Sequence, residues 1–283
     1  MNPRPPWLKV RLPSGESYFR LKRILGGLDL HTVCEEARCP NVAECWGHGT
    51  ATFMILGDVC TRACGFCAVK TGLPTSLDRD EPRRVAEAVV AMELDHAVVT
   101  SVNRDELPDG GASVFSDTIE AIRRRRPSTS VEVLIPDFQG SLASLETVLA
   151  ARPEIVNHNI ETVPRLYKRV RPGASYARSV ELLRRAKELA PGIVSKTGMM
   201  LGLGESAREV EEVMRELVET AHVDVLTLGQ YLQPTKAHLP IERFVEPGEF
   251  EELARRGRAI GFRHVEAGPL VRSSYHAANQ VPV

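Results

Sequence analysis

Residues 51–67 read Ala51-Thr52-Phe53-Met54-Ile55-Leu56-Gly57-Asp58-Val59-Cys60-Thr61-Arg62-Ala63-Cys64-Gly65-Phe66-Cys67, an apolar run, a turn, and cysteines spaced C-x3-C-x2-C. A short apolar run closed by Gly-Asp reads as a buried strand. The cysteines therefore stand just past a strand end, where parallel α/β folds gather their functional groups. Working outward, such runs recur at Ala51–Leu56, His96–Ser101, Ser130–Ile135, Glu154–Ile160, Ile193–Met200 and Val223–Gly229, with amphipathic stretches between them. Over Ser206–Thr220, Val210, Val213, Met214, Leu217 and Val218 fall on one helical face, and Ser206 with Glu209 forms a capping box. Tyr176–Leu189 likewise aligns Val180, Leu183 and Leu189 before Ala190-Pro191-Gly192 stops it. Strands alternating with helices predict a parallel sheet covered by helices. Six units predict an α/β open partial TIM barrel, (β/α)6, over residues 50–265.

All six cysteines of this 283-residue chain lie between positions 34 and 67, the first three as Cys34, Cys39 and Cys45 with spacing C-x4-C-x5-C. A disulfide framework does not suit thiols gathered in one stretch of a long chain without a secretory leader. Structural zinc wants four closed ligands, and each group offers three cysteines. Inert core cysteines would be scattered through the apolar runs. Two iron–sulfur centres remain. Three thiolates on a four-iron cluster leave one iron open, as catalytic metal sites do. Residues 1–49 mix Pro, Gly and charge without sustained periodicity. They read as an N-terminal extension that metal binding would order against the body.

The Cys60, Cys64, Cys67 triplet with Phe66 before its last cysteine resembles the motif of the radical S-adenosylmethionine (SAM) enzymes, which share the (β/α)6 architecture. The preceding triplet and the terminal Arg272-Ser273-Ser274-Tyr275 narrow the resemblance to the lipoyl synthase family, over nearly the whole chain from Cys34 to His276. The resemblance implies a SAM-binding 4Fe-4S cluster on Cys60, Cys64 and Cys67, and an auxiliary 4Fe-4S cluster on Cys34, Cys39, Cys45 and Ser274. It implies reductive cleavage of SAM, two per product, and insertion of two sulfur atoms at C6 and C8 of an octanoyl chain on a lysine of a lipoyl carrier protein. The resemblance also makes the auxiliary cluster the sulfur donor. Unactivated C–H bonds offer no proton to a side-chain base, so a cofactor-generated radical is required. Residues 266–283 then form a C-terminal tail closing the barrel mouth.

Gly198-Met199-Met200-Leu201-Gly202-Leu203-Gly204-Glu205 resembles the family's G-x-I-x-G-x-x-E stretch, with Met200 in place of Ile, and would back the adenine of SAM. Where radical SAM enzymes carry Gly-Gly-Glu to hold the SAM amino group, this chain has Thr100-Ser101-Val102-Asn103-Arg104-Asp105. Thr100, Ser101 and Asp105 all supply an oxygen acceptor, and the choice among them stays open. Phe66 and Glu161 are further cofactor-contact candidates, and Lys196 and His158 are noted for the same mouth.

A formal net charge of −1 gives no global attraction to nucleic acid or anionic membranes. The basic run Arg123–Arg126 ends a predicted helix before Pro127, where positive charge is favourable. With no apolar leader in Met1–Val10 and no long apolar window, the reading is a cytoplasmic protein, or an organellar one already lacking its transit peptide. Expected partners are an octanoylated lipoyl carrier (lipoyl domain or glycine-cleavage H protein type), a low-potential donor such as ferredoxin or flavodoxin, and an iron–sulfur carrier. Two alternatives are weaker. A biotin-synthase type draws auxiliary cysteines from later strands, and none follows Cys67. An electron carrier needs a fourth ligand for each cluster and has no use for a barrel.

Overall fold

The computed structural model describes residues 4–9, 16–36, 39, 41–47 and 50–281, with the side chains of residues 16, 17, 34, 35, 43 and 47 outside the description. Among the described residues ten strands are formed: β1 (His31–Thr32), β2 (Thr50–Ile55), β3 (Val59–Cys60), β4 (Lys70–Thr71), β5 (His96–Ser101), β6 (Ser130–Leu134), β7 (Ile155–Asn157), β8 (Val194–Leu201), β9 (Val225–Gln230) and β10 (His264–Gly268). Eight of them make one sheet in the order β1-β2-β5-β6-β7-β8-β9-β10. β1 pairs antiparallel with β2, and every other pairing in that sheet is parallel. Sequential order with intervening helices is what right-handed β/α crossovers produce.

The six expected strands are all present. A seventh parallel strand, β10, extends the sheet beyond β9 and lies across the expected start of the tail. The helix before it, Pro247–Ile260, opens with Pro at its first turn and a capping box between Glu246 and Glu249. Helix Ala207–Glu219 carries the expected Ser206–Glu209 box and buries Val210, Val213, Met214 and Leu217. Helix Tyr176–Leu189 buries Val180 and Leu183, but Leu189 is exposed at its last position, beyond the reach of the sheet.

The basic run ends helix Ala112–Arg125, as expected. Its charges are committed locally: Arg123 to Glu154 and the Ala151 and Arg152 carbonyls, Arg124 to Glu120, Arg125 to Glu87, and Arg126 to Asp95 and the Leu94 carbonyl.

The N-terminal extension is more structured than its sequence suggests. Helix Glu16–Gly27 buries Leu21 and Leu25 in the barrel core, and Tyr18 stacks on the buried Trp46. Packing on the barrel stabilises a helix too short to stand alone. β1 also covers the otherwise open edge of β2.

Candidate active site

The cysteine loop is tied down along its length. β3 ends in Cys60 and pairs with β4, and the Gly72 amide donates to the Cys60 carbonyl at 2.9 Å. Thr61 N–H donates to the Asn103 carbonyl (3.0 Å), Gly65 N–H to Val170 (2.9 Å) and Leu239 N–H to Gly65 (3.0 Å). His238 Nε2 lies 2.9 Å from the Cys67 carbonyl. A side chain at Gly65 would press into Leu239, with a Cβ 2.9 Å from its side chain, so glycine lets the loops close. Cys60 Sγ accepts from the amides of Asn103 (3.3 Å) and Arg62 (3.5 Å).

Burial pushes the Cys67 thiol up to about 11, with Cys64 and Cys60 adding to the shift. Burial also raises Cys64, against the opposing pull of Arg171. Cys64 and Cys67, neighbouring thiols that resist ionisation, need positive charge brought to them, which cluster iron supplies. Among the described residues no group of three or more His, Cys, Asp or Glu could hold a single metal ion, and a four-iron cluster takes its thiolates on separate irons.

The SAM-contact candidates separate. Thr100 Oγ1 donates to the Leu134 carbonyl at 2.9 Å. Asp105 is committed to the cysteine loop: its oxygens accept from Arg62 Nε and NH2, both at 2.7 Å, and from Thr61 Oγ1 at 3.1 Å. The same Arg62 NH2 reaches Asp137 Oδ1 at 2.6 Å, and Arg178 holds the other Asp137 oxygen at 3.2 Å. Ser101, at the end of β5, keeps a buried hydroxyl with no partner. Asn159 Oδ1 and Arg171 Nε are likewise buried and unpartnered, so the strand ends offer polar atoms that suit a polar ligand.

Glu161 adopts a left-handed backbone (φ 66°), and the carboxyl of this half-buried residue is raised by desolvation against the pull of Arg171. Phe66 and Met200 pack partly buried against the core beside β8 and β9. Gly202 (φ +98°) turns the chain where a Cβ would collide with Gln230 Nε2 and the Arg243 carbonyl. Its amide donates to Glu205 at 2.6 Å.

Lys196 and His158 do not join the mouth. Lys196, two positions from the start of β8, pairs at 3.0 Å with Glu132, both fully buried. Burial would raise the Glu132 carboxyl, but Lys196 overrides it and holds it at about 2. His158 instead faces the helix layer, bonded to the Ile135 carbonyl (2.8 Å) and Ser179 Oγ (2.9 Å), and burial lowers it to about 4.

At the second triplet, Cys34 lies in helix Val33–Glu36, and its side chain is outside the described residues. Cys39 and Cys45 are half-buried. The C-terminal tail meets this segment. Asn41 Nδ2 donates to the Leu270 carbonyl (2.6 Å), Tyr275 OH donates to Glu44 (2.9 Å), and His276 lies 3.7 Å from Glu44. The tail can cross the sheet because Gly229 in β9 has no side chain to collide with the Val271 carbonyl. Burial lowers Arg272, and the nearby Cys39 and Glu161 oppose that shift, so one guanidinium stands between the two halves. Ser274 is half-buried, and the Ser273 hydroxyl accepts from Asn159 Nδ2 at 2.7 Å.

The model of the radical SAM superfamily matches residues 54–217, and that of the N-terminal domain of lipoyl synthase matches residues 2–39. The chain is 62% identical over 277 residues to the lipoyl synthase of Rubrobacter xylanophilus, covering 98% of this chain and 86% of that one. It is 58% identical over 279 residues to that of Geobacillus thermodenitrificans, covering 98% and 93%. The chain belongs to the lipoyl synthase family. Solved structures add the fold. SuiB of Streptococcus suis bound to S-adenosylmethionine gives a TM-score of 0.55 at 11% identity, covering 85% of this chain and 52% of that one. Methylornithine synthase gives 0.55 at 16%, covering 88% and 75%. Membership of the lipoyl synthase family removes the electron-carrier and biotin-synthase readings, and it brings a SAM-binding 4Fe-4S cluster and an auxiliary cluster.

Sequence reasoning passed over Arg62, Asp137, Asn159 and Arg171 in this lipoyl synthase family member. Arg62 had a partial signal as a charged residue between cluster cysteines, but its burial, at 8% exposed, and hence its need for buried acids, shows only in the fold. The other three become meaningful only through tertiary partners. No helix among the described residues is long and apolar enough to cross a membrane.

Proposed function

We propose that this chain inserts the two sulfur atoms of the lipoyl group at C6 and C8 of an octanoyl chain, held in amide linkage to a lysine of a lipoyl carrier protein. Cys60, Cys64 and Cys67 hold the SAM-binding cluster, and Cys34, Cys39, Cys45 and Ser274 hold the auxiliary one. When bound, these groups supply a SAM-derived radical for hydrogen abstraction and the sulfur that replaces the hydrogen. The residues do the rest. The Arg62–Asp105–Asp137 contacts fix the cysteine loop, and Ser101 offers its unpartnered oxygen to the SAM amino group. Phe66, Met200 and Gly202 shape the apolar side of the cofactor site, with Glu161 as a polar contact.

The observation that carries this reading is that the tail around Arg272–His276 touches both Glu44 of the auxiliary segment and Asn159 beyond β7. A tail bonded to both segments would bring the two centres to one mouth, the proximity an insertion reaction needs. A low-potential donor such as ferredoxin or flavodoxin supplies electrons, an iron–sulfur carrier rebuilds the spent cluster, and the setting is the cytoplasm. The test is to incubate reconstituted, reduced protein with SAM and an octanoyl-lysyl peptide. Mass spectrometry should find two added sulfurs, and a product without sulfur overturns the reading.

A further inference from the structure

Asn159 lies two residues past β7 and is 9% exposed. Its backbone carbonyl accepts from Arg171 NH1 at 2.7 Å, which fixes the main chain at this point. Its side-chain nitrogen has two hydrogens, and both are used: one toward Ser273 Oγ at 2.7 Å and one toward Glu161 Oε1 at 3.1 Å. A carboxylate oxygen accepts, so the amide must point its nitrogen at Glu161 and its oxygen the other way. That oxygen lies over Gly198, 2.7 Å from where a Cβ would stand, and only glycine leaves room for the amide there.

The tail's other side-chain ties go elsewhere. Tyr275 is bonded to Glu44 and the Leu270 carbonyl to Asn41, both in the N-terminal extension, and His276 pairs with Glu266 on β10. Among the described residues, the Asn159–Ser273 bond is the side-chain hydrogen bond that joins the tail to the strand end carrying Glu161.

We infer that Asn159 is a latch that registers the C-terminal tail on the barrel: a positioning residue that acts through Ser273 to place the neighbouring Ser274 at the auxiliary centre. Its functional consequence rests on the reading that Ser274 is a ligand, but the latch itself does not. The latch sits on the same amide that holds Glu161, so tail and cofactor side are fixed by one group rather than separately. Ser273 thereby has a role distinct from that of Ser274, and the two adjacent serines divide holding from ligation.

The test is hydrogen exchange by mass spectrometry on protein reconstituted with both clusters, following the tail peptide that contains the amides of Tyr275 and Ala277, which bond to Arg272 and Ser274. Ser273→Ala, which leaves the barrel untouched, should speed tail exchange about fivefold, the usual worth of one net hydrogen bond. Asn159→Ala, which leaves the Ser273 hydroxyl no side-chain partner at this position, should do the same, and the double variant should be no faster than either single one. In both variants the ratio of 5′-deoxyadenosine to sulfur-containing product should rise. Unchanged tail exchange in Ser273→Ala, or effects that add fully in the double variant, overturns the latch. Failure of the ligand reading shows separately, as Ser274→Ala with undiminished sulfur insertion.

Discussion

The two cysteine sites are built in opposite ways. The loop Cys60–Cys67 is fastened by main-chain bonds to Asn103, Val170 and Leu239 and by the buried Arg62–Asp105–Asp137 contacts. These anchors come from loops that follow different strands. The second site is made where the extension, through Asn41 and Glu44, meets the tail, through Leu270, Tyr275 and His276. The ties to Glu44 are half-exposed. A site that cycles a permanent cofactor gains from rigidity fixed in advance. A site whose cluster is consumed must release and reload, and half-exposed hydrogen bonds such as those to Glu44 open at low cost.

The sharpest way to break this contrast is to remove thiolates from each site in turn. Cys60→Ala, Cys64→Ala or Cys67→Ala should abolish SAM cleavage and lower iron by about half, since the other four-iron cluster stays bound. Loss of all iron from one such variant would mean a shared site. Cys34→Ala, Cys39→Ala or Cys45→Ala should still yield 5′-deoxyadenosine and no sulfur-containing product. Sulfur insertion by any of these three variants would remove the donor role from the second site.

A finer cut lies in the tail. Ser274→Ala should keep SAM cleavage and lose most sulfur insertion, while Ser273→Ala, which removes the acceptor for Asn159, should be milder. An oxygen ligand is harder than a thiolate and suits soft cluster iron less well, which fits a ligand that must let go. Single-turnover product measured by mass spectrometry ranks the two, and the reverse ranking would move the ligand to Ser273.

Why one site was more legible than the other follows from the same contrast. The six apolar runs and the capping box at Ser206 are local signals, and they placed the barrel and set Cys60–Cys67 at a strand end. β10 gave no such signal, because of its five residues only Val265 is buried, between the polar His264 and Glu266. Helix Glu16–Gly27 shows its apolar Leu21 and Leu25 amid Arg and Lys, and it takes its stability from a barrel edge that the sequence does not display. Asp105 illustrates the remaining limit: its oxygens qualified it as an acceptor, but its donor, Arg62, lies 43 positions away. Residue type announces what a side chain can bond to, and only the fold says which partner reaches it first.

That pairing gives the smallest effect, and it concerns the rigid site. Arg62 is bidentate to Asp105 and also bonded to Asp137. Asp105→Asn removes one charge from this set but keeps an acceptor oxygen and leaves Arg62 its buried partner in Asp137, so the loss should be about 1 kcal/mol, less than that of a charge-assisted bond removed outright. In a chain of this size that is roughly 2–4 °C in Tm. Burial would raise the Asp137 carboxyl, but Arg62 overrides it and holds the group at about 2. The folded value lies below the unfolded one of about 3.9. The stabilisation is therefore complete above that value and fades as pH falls from about 4 towards 2. In Asp105→Asn, acid should unfold the protein at a slightly higher pH, because Asp137 then carries the arginine alone. Circular dichroism against pH and temperature measures both shifts, and iron analysis should show the cluster on Cys60–Cys67 loading more slowly while the auxiliary cluster loads as before. If loading at both sites slows equally, the clamp is serving the whole fold rather than the cysteine loop, and the rigidity assigned to the first site is not its own.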